Sequence, residues 1–243
     1  MNYAELVSAI ETYTENTFPD TTLSDGTIVT SAEQINRFIE QAEQRVYNSV
    51  QFPSLRKSVI GTLTASNKYL QCPGDFLAPY SMAVIEGYGT ASETYTYLLN
   101  KDVNFIREAY PTPASTGLPK YYALFGPQYS NEAELAFILG PTPDASYYAE
   151  LHYYYYPTSI TTGSVATNTT WLGDNFDTVL LYGALVEAYT YMKGETDIIQ
   201  LYDAKYKEAL ALAKRLGDGL ERQDAYRSGQ YRMAPLPQNN GVA

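Results

Sequence analysis

Apolar and polar residues follow two different periods along this chain, and the changes of period divide it. Over residues 2–16, Leu6, Val7, Ile10 and Tyr13 fall near helical spacing. A turn-rich stretch, FPDTTLSDGTIVT, follows. SAEQ at 31–34 then reads as a capping box, with Ser31 at the N-cap and Gln34 three residues on. Ile35, Phe38, Ile39, Ala42 and Val46 mark one face of the helix it opens, and Glu33 with Arg37 adds an i,i+4 pair outside. From about 56 to 165 the period shortens, in KSVIGTLT, SMAVIE, ETYTYLLN, PKYYALFG, AELAFIL and YAELHYYYY. Nine of the thirteen prolines fall there, and short alternating runs so punctuated predict an antiparallel β-sandwich or small barrel. DVNFIREAY (102–110) predicts one short helix within it.

Helical spacing returns at Asp174, which reads as the cap of a helix carrying Phe176, Val179, Leu180, Gly183, Ala184 and Glu187 and ending at KGE, 193–195. A second helix is predicted from about Asp197 to Leu216, with Ile198, Leu201, Tyr202 and Leu210 in its run. So short a connection makes the two an antiparallel hairpin. Gly217 and Gly219 read as its stop. The fold expected is α+β. An antiparallel bundle joins an N-terminal helical pair (1–55) to the C-terminal hairpin (166–217), a β domain (56–165) is inserted between them, and an extended tail (218–243) follows.

Composition narrows the function. Tyrosine is the unusual figure, 25 residues against 8 Phe and 1 Trp, and it suits half-buried sheets and wet contacts. A net charge of −11 argues against a surface that holds nucleic acid by its phosphates, although DNA could slide past such a protein without sticking. Cys72 is the one cysteine, which excludes an intrachain disulfide and suits assembly in a reducing cytoplasm. The opening MNYAELVSAIETYTEN carries acids and no basic region, unlike a secretory signal. The longest apolar stretch, Val179 to Met192, is too short to span a bilayer and holds Glu187. A soluble protein with no membrane partner is expected.

Candidate chemistry is sparse. A nucleophile–histidine centre would have to use His152, the one histidine, in a run where Tyr148, Glu150, His152, Tyr154 and Tyr156 share a strand face. A strand histidine on a polar or interfacial face is the simpler reading. The carboxylate pairs Glu132/Glu134 and Asp174/Asp177 read as turn and cap residues, and no cofactor or metal set has ligand spacing. GYGTAS at 87–92 lacks the third glycine of a dinucleotide loop and reads as a turn. Consecutive tyrosines in a strand point to opposite faces, so one face packs on the core while the other, with His152, Tyr154 and Tyr156, meets another subunit or a tail component. In the tail Arg222, Arg227 and Arg232 recur every five residues, Tyr226 and Tyr231 precede two of them, and no acid follows Asp224. Tyr and Arg anchor interfaces, so this segment reads as one that orders on docking.

Several stretches, taken in order, resemble the head-to-tail adaptor proteins of tailed bacteriophages, the podovirus tail tubular protein A and gatekeeper-like family. They are YAELVSAIETYTEN, AEQRVYNSVQFPSLR with its Phe-Pro exit, YLQCPGDFLAPYSMAV, and the run from WLGDNFDTVLLYGALVEAYTY to KYKEALALAKR. The resemblance covers most of the chain. It implies a structural virion protein of the neck or tail, without enzymatic activity, forming a ring of about twelve subunits. Such a ring sits beneath the portal protein, receives the distal tail (nozzle) protein and continues the channel through which double-stranded DNA passes unbound. It also implies that the C-terminal tail reaches the portal, through Arg222, Tyr226, Arg227, Tyr231 and Arg232. A tyrosine-rich carbohydrate-binding β module, another phage neck or tail-completion protein, and a wall-degrading hydrolase using His152 or a carboxylate pair are the competing readings.

Overall fold

The computed structural model describes residues 1–112, 114–126 and 135–230, the side chains of Pro53 and of residues 218–230 excepted. In chain order the elements are α1 (Tyr3–Thr14), β1 (Thr21–Thr22), β2 (Ile28–Val29), α2 (Ser31–Ser49), β3 (Arg56–Leu63), β4 (Tyr69–Gln71), β5 (Ala78–Glu86), β6 (Thr94–Tyr97), β7 (Leu99–Asn100), α3 (Val103–Ala109), β8 (Tyr121–Phe125), β9 (Ala136–Gly140), β10 (Tyr147–Tyr154), α4 (Trp171–Asn175), α5 (Asp177–Tyr191) and α6 (Thr196–Gln230). They divide into two compact units. One is Ser54–Tyr156, and the other takes the chain on either side of it, Met1–Pro53 and from Pro157 onward.

The flanking unit is helical, with the N- and C-terminal helices packed together around α5. Leu180, Ala184, Leu185 and Ala188 of α5 are fully buried, because α1, α2, α4 and α6 pack against it from different sides. Gly183 permits the closest approach. A Cβ there would lie 3.0 Å from the Ala42 Cβ and 3.3 Å from the Tyr206 ring.

Three local expectations need correcting. The cap of α2 is Thr30, one residue before Ser31. Its Oγ1 accepts from the Glu33 N–H, and the Glu33 carboxylate returns to the Thr30 N–H at 2.8 Å. Ser31 donates instead to the Thr17 carbonyl, and Gln34 turns inward, donating to the Pro19 carbonyl and accepting from the Tyr191 hydroxyl. Asp174 lies inside α4, which Thr170 caps, and α5 starts only after a break at Phe176. The largest difference concerns the tail: residues 218–230 continue α6, where an extended segment was expected. Gly217 is a close-contact residue rather than a stop. A Cβ there would meet Val50 Cγ1 at 2.9 Å and the Gln51 carbonyl at 3.0 Å. Each glycine costs a helix about 1 kcal/mol, which Leu220, Glu221, Arg222, Gln223 and Ala225 offset without a proline to interrupt them.

The loop leading into α4 is tied to α2 by two carboxylates one turn apart. Glu43 Oε1 accepts from the Ile160 N–H at 3.1 Å, and Glu40 Oε1 accepts from the Thr161 hydroxyl at 2.8 Å. Glu43 is 2% exposed, and that burial pushes its carboxyl above the ordinary range.

The unit Ser54–Tyr156 holds two four-stranded sheets, β3-β10-β5-β6 and β4-β9-β8-β7, antiparallel except for the short β7–β8 pair. They share one core, with Leu63, Met82, Val84, Leu151 and Tyr153 from the first and Tyr122, Phe137 and Leu139 from the second. Both sheets keep open edge strands, so the barrel anticipated as one alternative is not formed. The second sheet is also covered on its far side by α3, through Ile106 against Ala123 and Ile138. Burial on both faces explains why β9, AFILG, is apolar throughout. Where β3 and β10 enter and leave the unit they are neighbours, and the Tyr155 N–H donates to the Leu55 carbonyl at 3.0 Å.

Candidate partner-binding face

The geometry of the tyrosine run follows from the position of β10. It is a central strand, paired with β3 on one side and β5 on the other. Its residues alternate, with Ala149, Leu151 and Tyr153 buried and Tyr148, Glu150, His152 and Tyr154 turned outward. Directly paired residues share a face, so the outer surface also carries Ser58, Ile60 and Thr62 of β3 and Ser81, Ala83 and Ile85 of β5. Beyond β5, Tyr95 stands opposite Ile85 and Tyr97 opposite Ala83. Ile85 is thus buried beneath tyrosines that are themselves exposed, Tyr97 to 65%.

At one end, Tyr88 in the β5–β6 turn lies against Tyr148 with ring centres 4.4 Å apart. The turn places Gly87 and Gly89 at φ of 66° and 78°, a backbone that glycine adopts without strain. The Gly89 N–H donates to one oxygen of Glu93, and the Tyr95 hydroxyl donates to the other at 2.5 Å. That carboxylate holds the Tyr95 phenol up at about 12, so it stays a neutral donor. At the other end the ladder shifts register between His152 and Tyr153, and Tyr80 falls opposite the shift. Its ring meets Tyr154 at 6.0 Å, and the Arg56 guanidinium lies 4.6 Å over Tyr80 and 5.8 Å from Tyr154.

The structure brings His152 and Tyr154 onto this one face, with Tyr156 exposed just past the strand. Ser58, Glu150 and His152 are close together in the register, yet the hydrogen bond runs from the Ser58 hydroxyl to Glu150 at 3.1 Å. His152 makes none among the described residues, so no nucleophile–base pair is assembled around it. Asp174 accepts from the Thr169 hydroxyl and Asp177 starts α5, both structural uses; Glu132 and Glu134 lie outside the described residues. Cys72 is buried between the sheets and its thiol is pushed up to about 12 by that burial. Among the described residues no His, Cys, Asp and Glu cluster could hold a metal, and no helix is long and apolar enough to cross a membrane.

Arg222, Tyr226 and Arg227 fall on the last turns of α6, the first two separated by one helical turn; Tyr231 and Arg232 lie outside the described residues. Residue-by-residue reading overlooked Tyr80, Tyr88, Tyr95, Tyr97 and Ile60 as members of the face. The alternation in TYTY was the available signal, but only the register shows which strand it joins.

The chain is thus a helical unit carrying an inserted pair of sheets, one of which bears exposed tyrosines on its outer face. The family model for the SU10 adaptor protein matches residues 1–234, and the chain belongs to that family. It is a phage head-to-tail adaptor, of a structural rather than an enzyme family. No curated protein matches it.

Proposed function

We propose that this adaptor forms a ring of about twelve copies between the portal protein and the distal tail, continuing the channel for double-stranded DNA. Its net charge of −11 supports passage of DNA without adhesion, since phosphates and an acidic wall repel over roughly a Debye length of ~10 Å. The far end of α6, with Arg222, Tyr226 and Arg227, and Tyr231 and Arg232 beyond it, docks on the portal. The face bearing His152, Tyr154 and Tyr156 meets the distal tail protein or a neighbouring subunit.

The observation that carries this reading, within a family of adaptors, is the outer face of β3-β10-β5-β6. It combines exposed aromatic area with hydroxyls and few charges, the composition of a protein contact. A sugar platform is less well supported, because Tyr88 and Tyr148 lie tilted against each other and Arg56 covers Tyr80.

Sedimentation of the chain with its cognate portal ring tests the proposal, using the full-length protein and a truncation ending at Gly217. The full-length chain is expected to co-sediment at about twelve copies per portal, and the truncation to be lost from the pellet. A full-length chain that stays in the supernatant would remove the portal from its partners.

A further inference from the structure

The helical unit contains a cleft of about 400 Å³ between the β1–β2 hairpin, α2 and α5. Leu23, Val29, Phe38 and the Tyr191 ring make it apolar, and Arg37 stands on its lining. Glu187, also at the cleft, is already paired with Arg45, whereas Arg37 closes no salt bridge among the described residues: the i,i+4 pair expected with Glu33 is not formed, and the two charges interact only at longer range. Such a cleft suits apolar knobs accompanied by a carboxylate about one helical turn away. Among the described residues, none of α6 lines it.

This chain presents such a stripe on α6. Leu201, Lys205, Glu208, Leu212 and Leu216 follow one another at intervals of four, three, four and four, which keeps them on one side of a helix. Leu201, Leu212 and Leu216 are 54%, 58% and 44% exposed, and Glu208 makes no ion pair among the described residues. The core-facing residues Tyr206, Ala209, Leu210 and Ala213 occupy another side of the helix. Three exposed leucines in line on one helix are more than scattered surface apolar residues require.

We propose that the cleft of one copy receives the Leu212–Leu216 stripe of α6 from a second copy, with Arg37 meeting the incoming Glu208. The two halves lie on different elements of the same chain, so the contact is heterologous. Each added copy keeps one free cleft and one free stripe, and association continues until it closes. This rests on the ring reading and goes beyond it by naming a subunit junction on the helical unit, which leaves the tyrosine face for a different protein.

Sedimentation velocity of the free chain between about 10 μM and about 1 mM tests it without a portal. The unaltered chain is expected to give species larger than a dimer. Leu212→Lys spoils the stripe and Leu23→Lys spoils the cleft, both at exposed positions, and each alone should weaken association by about tenfold or more. Mixed in equal amounts, the two variants retain one sound junction between them and should stop at a dimer. Arg37→Glu and Glu208→Arg should each weaken association, and their combination in one chain should restore it. An unaltered chain that stays monomeric throughout, a mixture that forms no dimer, or a charge reversal without restoration would each overturn the proposal. A chain that binds the portal yet never self-associates sinks this junction alone; one that self-associates without binding the portal sinks the portal docking alone.

Discussion

Glu43 is a carboxyl nearly out of water, held to the Ile160 N–H, with desolvation as the first cause of its raised pKa and the neighbouring Glu40 adding to it. A carboxyl whose folded pKa exceeds its unfolded one withholds stability above that folded value and returns it as pH falls through it. Glu43→Gln keeps the acceptor and removes the charge. The variant is therefore expected to melt higher than the unaltered chain at pH 7, by about 2–4 °C for each kcal/mol relieved. The gap should narrow as pH is lowered toward the ordinary value of 4.5. Glu43→Ala should go the other way by about 1–3 kcal/mol, because it strands a buried N–H. Melts at pH 7 and pH 5 check both, and a lower-melting Gln variant at pH 7 would show that the charge is not what costs stability. Asp75 has the opposite sign. Lys57 first, then the Tyr153 hydroxyl, hold it below the ordinary range, so its contribution is present above the unfolded value and fades as pH falls through the depressed one.

At the scale of elements, the buried face of α2 was legible because Ile35, Phe38, Ile39, Ala42 and Val46 repeat with one period. The capping box was ambiguous by one residue. Ser31 and Thr30 are both competent caps, and the choice lies in which hydroxyl the Thr17 carbonyl claims. The end of α6 could not be read, because a glycine that ends a helix and a glycine that admits a neighbour are the same letter. Gly217→Ala tests the close approach. An uncrowded glycine inside a helix would gain about 1 kcal/mol from alanine, whereas a Cβ forced against Val50 and Gln51 should cost about 1–3 kcal/mol, measured by denaturant titration. The tyrosine face was half legible. Alternation put Tyr148, His152 and Tyr154 on one side of β10, but the tyrosines of β6 joined them only through pairing with β5. Tyr97→Ser should leave the melt within about 1 kcal/mol of the unaltered chain, since that ring is 65% exposed. If the face is a contact, the same substitution should weaken pull-down of the distal tail protein.

For the whole molecule, the change in texture from helical to alternating spacing reflects two separate cores, one around α5 and one between the sheets. The ends of Ser54–Tyr156 are paired strands of one sheet, so the segment carries its own closing contact and its connections to the helical unit leave from one place. Expressed alone, residues 54–156 are expected to unfold cooperatively, with the melting of a folded domain in the near-ultraviolet signal of its tyrosines. A featureless melt would mean that the sheets depend on the helices for their structure.

The same adjacency has a mechanical meaning. Tension reaching this segment through its two connections pulls β3 and β10 apart at their common end, so the ladder peels rung by rung instead of resisting in shear. Arg56–Tyr154 is the first rung and Lys57–Tyr153 the second, and Asp75 clasps both members of that second rung, accepting from the Lys57 amine at 2.7 Å and the Tyr153 hydroxyl at 2.8 Å. Under load the peel meets that clasp as a side-chain cross-link one residue in from the edge, ahead of the strand's central, core-facing Leu151.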